Sequence, residues 1–147
     1  MNMENTIQTN AVQSADQSRF LRRALQADAI FSGLSGALAL VDAAPIAALL
    51  GFATPAATRV VMAIGVGLLL WAALAFWIST RPQPSRGLVF TIIEGNLLWV
   101  LATIILLVSG WLPFSTTGNW AIAIVADVVG LLALLQYVGW RRLTKRA

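Results

Sequence analysis

The sequence predicts an all-α integral membrane protein, an antiparallel four-helix bundle with both termini in the cytoplasm. Three features of the chain point there. Apolar residues make up 59% of it and charged residues 11%, whereas soluble domains run near half apolar and about a quarter charged. Four apolar stretches are each long enough to cross a hydrocarbon core of about 30 Å. The bases sit beside these stretches, almost all at one end: Arg19, Arg22, Arg23, Arg81, Arg86, Arg141, Arg142, Lys145 and Arg146 fall on the tail side, and Arg59 alone falls opposite. Cytoplasmic loops carry the excess of Lys and Arg, so the tail side is expected inside.

Taken in order, residues 1–18 are polar, hold two acids and no base, and are expected to form a disordered tail. Residues 19–147 then form a single four-span transmembrane domain. Arg19, Arg22 and Arg23 precede a long apolar segment instead of a short one with a cleavage site, so the first span, about 24–44, is expected to remain as an anchor. On it Asp28, Ser32, Ser35 and Asp42 recur at helical spacing and share a face that should avoid lipid. Ser32, Gly33 and Gly36 supply small-residue spacings that let another helix approach closely.

Residues 45–52, PIAALLGF, either continue that helix past a kink or lie in the interface. Thr54-Pro55 reads as an N-cap followed by proline in the first turn. The second span, about 58–80, carries neither charge nor proline from Val60 to Ile78, and its Gly67 is expected in a helix contact. Arg81 to Arg86 is a short turn in which Ser85 can cap the third span, about 87–111. An uncharged turn, PFSTTGN, leads to the fourth, about 119–140. Trp111 and Trp120 flank one boundary, Trp77 and Trp140 the other, as an aromatic belt requires. Trp71 and Trp99 fall near mid-membrane, where they either pack the core or wall an apolar ligand cavity. The two halves of the chain align weakly at an offset of about 62 residues, pairing Gly33 with Gly95, Phe52 with Phe114 and Thr54 with Thr116.

The absence of cysteine and histidine removes disulfides, thiolate nucleophiles, the commonest metal ligands and the usual general base. No phosphate loop or nucleophile–base pair is present, so neither an enzyme nor a metal site nor a cofactor is expected. The bases form no patch on a polar domain, which argues against nucleic acid. What stands out are polar side chains inside the spans. Glu94, Asp127, Asp28 and Gln136, with Trp99 and Trp71, are the candidates for binding a ligand or proton, because intramembrane acids cost several kcal/mol and mark functional sites. Asp28, Glu94 and Gln136 are expected at similar depth, with Asp127 nearer the middle. Glu94 and Asn96 lie about 200° apart around their helix. Asn96 is therefore assigned, with Ser32, Gly33, Gly36 and Gly67, to helix packing, while Glu94 stands as either a functional group or structural glue.

The stretches RRALQADAIFSGLSG at 22–36, TRPQPSRG at 80–87, NLLWVLA at 96–102 and YVGWRR at 137–142 together resemble a family of small, uncharacterised four-span proteins of the bacterial inner membrane. In size and span count the chain is also similar to DoxX-like membrane proteins. The resemblance implies the four-helix fold and the bacterial membrane, and no activity. The expected role is a non-enzymatic accessory or scaffold protein that binds a membrane-protein partner, a lipid or an apolar ligand, alone or as a homo-oligomer. The alternative is a proton-coupled small transporter using Glu94, and a membrane enzyme acting on a lipophilic substrate comes third.

Overall fold

The computed structural model describes the backbone of residues 3–81 and 84–144 and the side chains of 18–81 and 84–142. Among the described residues all regular structure is helical: α1 (Met3–Val41), α2 (Ala43–Leu49), α3 (Pro55–Thr80), α4 (Arg86–Ser109) and α5 (Thr116–Thr144). Four of these are long and apolar enough to cross a membrane, over Ser18–Val41, Pro55–Thr80, Arg86–Ser109 and Thr116–Arg142. The chain is thus a multi-pass membrane protein. The backbone of residues 3–17, expected as a disordered tail, continues α1 as helix. That segment holds no Gly or Pro and several good helix formers, so nothing local breaks the helix that Ser18–Val41 nucleates. Pro82, Gln83, Lys145 and Arg146, placed above in a turn and in the basic tail, lie outside the described residues.

Helix ends follow their local chemistry. Pro45 has no N–H to offer Val41 and its ring would clash with the Val41 carbonyl, so α1 stops there and α2 starts afresh as a short separate helix. The first span therefore ends at Val41, short of the expected residue 44, and residues 45–49 are helix. Thr54 caps α3, its Oγ1 accepting from Ala57 N at 3.2 Å, with Pro55 in the first turn. Ser85 caps α4 by accepting from Leu88 N at 3.3 Å, and Gly110 closes it at φ +62°. Ser115 caps α5 by accepting from Gly118 N at 2.9 Å.

Helix α1 packs against both α3 and α5, and α5 packs against α4, whereas the backbones of α3 and α4 hardly approach one another. The α1–α3 contact is closest at Gly36 and Gly65, where a Cβ on either glycine would lie 2.8–2.9 Å from the other's carbonyl oxygen. At the end carrying Ser18 and Arg142, Leu21, Leu25 and Ala29 of α1, Ala75 and Ile78 of α3 and Val89, Ile92 and Ile93 of α4 form a close-packed core. Arg22 Nε donates to the Ser79 carbonyl at 2.8 Å, a cation at the C-terminal end of α3 where the helix dipole favours one. At the opposite end the two loops are tied together. Ser115 donates from its backbone N to Leu50 O at 3.0 Å and from its hydroxyl to Leu49 O. Phe52 and Phe114 meet edge to face, with ring centres 5.5 Å apart.

Candidate functional site

All four long helices contribute to one polar cluster: Asp28 and Ser32 from α1, Trp71 from α3, Asn96 from α4 and Gln136 from α5. Asp28 and Gln136 are 0% exposed and Asn96 is 4% exposed. The donor-only character of an indole fixes the sense of every bond. Trp71 Nε1 donates to Asn96 Oδ1 at 3.1 Å. The Asn96 amide nitrogen therefore faces the other way, donating to Asp28 Oδ2 at 2.9 Å and to Gln136 Oε1 at 3.2 Å. Gln136, held by its oxygen, turns its own amide nitrogen to Asp28 Oδ2 at 2.9 Å. Ser32, one turn along α1, donates to Asp28 Oδ1 at 3.4 Å.

Of these five bonds, three end on the Asp28 carboxyl group and the other two hold Asn96 and Gln136 in place to make them. None of the carboxyl group's partners is a cation. The cluster gathers these polar groups in a water-poor interior, where their dipoles act strongly because little else screens them. It also links all four long helices, and a bond of this kind between membrane helices contributes about 0.6–2 kcal/mol.

Beside the cluster, toward the tied loops, lies a cavity of about 260 Å³. It occupies the side where α3 and α4 stand apart. Ser32, Ser35 and Asn96 form its polar side, and Trp71, Trp99, Leu68, Val125 and Val129 are among its apolar walls. The outer end of the Trp71 ring lies against Gly95, so closely that a Cβ there would come within 2.2 Å of it. The indole is held by that contact on one side and by its Asn96 bond on the other.

The sequence expectations divide at this site. Asp28 and Gln136 meet as expected, and Ser32 joins them. Trp71 and Trp99 both line the cavity. Glu94 and Asp127, expected to share the interior, face outward instead. Residues 94 and 96 lie on opposite sides of α4, and Asn96 takes the inner side. Of the packing residues, Gly36 makes the close contact and Gly33 an ordinary one, 3.6 Å from Ala72 Cβ, while Gly67 makes none. Nothing lies within 4 Å of a Cβ placed on it, because it faces the open side of the cavity. Asn96, assigned to packing, is the hub of the network. Gly95 and Ser35 escaped the candidate set, although Ser35 had been read on the Asp28 face, and a glycine next to an intramembrane amide was the available signal for Gly95. No family model, curated protein or solved structure matches this chain.

Proposed function

We propose that this protein is a non-enzymatic accessory subunit of the bacterial inner membrane, a four-helix antiparallel bundle with both termini cytoplasmic, that binds another membrane protein through the outer face of α4 and α5. The observation behind this reading is that Glu94 of α4 and Asp127 of α5 are each exposed and, among the described residues, have no partner in the chain. Glu94 lies eight residues after Arg86, about 12 Å along the helix. Asp127 lies eleven residues after Thr116, about 16 Å along α5. An acid at such depth against lipid costs roughly 2.5–3.5 kcal/mol, a cost a partner's donors remove.

A second copy is the poorer candidate. The chain carries its bases near helix ends, Arg23 being the one furthest inside a span, five residues or about 8 Å after Ser18, so a copy's cations lie short of the depth of either acid. The favoured partner presents a basic or hydrogen-bond-donating side chain within its own membrane helices. The transporter alternative draws no support from Glu94, which the cavity does not touch.

Gentle extraction from native membranes followed by intact-complex mass spectrometry tests this. A different protein should co-extract in fixed stoichiometry and be lost from the Glu94→Ala/Asp127→Ala double variant. Recovery of the chain only as a monomer or homo-oligomer defeats the reading.

A further inference from the structure

We infer that the cavity between α3 and α4 is a binding site for a small lipophilic monocation, an ammonium ion carrying an apolar body. Its shape and its charge both point to such a ligand. The cavity is open on the α3–α4 side, where Gly67 leaves free space and Trp99 is 40% exposed. A ligand can therefore reach it sideways from the membrane. At about 260 Å³ it exceeds the roughly 150 Å³ that accommodates benzene, and it suits a body of about ten heavy atoms.

Its polar side discriminates by sign. The polar lining is Ser32, Ser35 and Asn96; Ser32 and Asn96 have spent their donors on Asp28 or Gln136 and keep acceptor capacity, and the Ser35 hydroxyl can accept as well. Directly behind them sits the Asp28 carboxyl group, whose partners among the described residues are all neutral and which a cation in the cavity would hold ionised. Two indoles, Trp71 and Trp99, complete the walls, and the face of an indole attracts a cation and does little for a neutral alkyl group. An anion meets repulsion from Asp28, and a neutral apolar molecule leaves the polar lining without a partner. A positive head satisfies the carboxylate, the lone pairs and the ring faces together.

The test uses two molecules of the same shape, benzyltrimethylammonium and its neutral carbon isostere neopentylbenzene, titrated calorimetrically against the full chain in nanodiscs of zwitterionic lipid, with empty discs as the blank. The cation should bind saturably, one per chain and at least about tenfold more tightly than the isostere. Trp99→Leu, at a half-exposed wall position outside the hydrogen-bond network, should weaken the cation about tenfold and leave the isostere unchanged. Asp28→Asn should erase the preference; should that variant fail to fold, Trp99→Leu alone decides. Equal binding of the two molecules, cation binding indifferent to Trp99→Leu, or no saturable binding of the cation each overturns the inference.

Discussion

The molecule holds carboxylates in its spans in two ways. Asp28 is wholly buried and surrounded by donors from its own chain, whereas Glu94 and Asp127 stand on the outer surface with none among the described residues. A buried acid so supplied is part of the fold, and its removal should unfold. An outward acid left bare contributes nothing to the isolated chain, and its removal should be silent until something outside the chain is present. The difference separates residues that hold this protein together from residues that join it to others.

The largest effect should come at the hub. Asn96→Leu strips two bonds that the network directs into Asp28 and Gln136 and leaves Trp71 without an acceptor, so stability should fall by about 2–4 kcal/mol, read from equilibrium unfolding in detergent. Glu94→Gln and Asp127→Asn should each stay within about 0.5 kcal/mol of the parent in the same assay. If they cost as much as the hub variant, the distinction between the two kinds of acid collapses.

Gly95→Ala comes next, because the added methyl would collide with the Trp71 ring. The indole must swing away and release Asn96, with an expected loss of about 2–3 kcal/mol and a changed near-ultraviolet circular dichroism spectrum. Gly67→Ala sharpens the contrast. It meets open space and should gain up to about 1 kcal/mol from helix propensity alone.

The spans could be read from the sequence, since roughly two dozen apolar residues between turn and cap signals leave few alternatives. Depth put Asp28, Glu94 and Gln136 at one level, and the structure joins only Asp28 and Gln136 of the three. What could not be read was which way each helix turns. In a soluble protein the apolar stripe identifies the inner face, but in lipid both faces are apolar and the stripe vanishes. Glu94 and Asn96 were correctly placed on opposite sides of α4, and nothing in the surrounding Leu, Ile and Val said which side looked inward. The same ambiguity caught Gly67, two residues from Gly65, which makes the close approach to Gly36.

The smallest effect belongs to α5. Trp140 stacks on Tyr137 and meets Phe90 at a tilt, yet among the described residues its buried Nε1 has no acceptor. Replacing it by Phe keeps the ring and removes the orphan donor. Trp140→Phe should therefore leave the melting temperature unchanged or raise it slightly, whereas Trp140→Ala should lower it.

The network also sets a timetable for biosynthesis. Asp28 leaves the ribosome first, and its partner Gln136 follows 108 residues later. At about 5–20 residues per second, the first span waits roughly 5–20 s before its carboxyl group has all its partners, with Ser32 alone at hand until Asn96 follows 68 residues behind it. During that interval the insertion machinery, or water at the membrane surface, has to host a side chain that the finished protein hides completely. A nascent chain arrested before Asn96 should accordingly be held in that machinery or degraded, and release into the bilayer should coincide with arrival of the last helix.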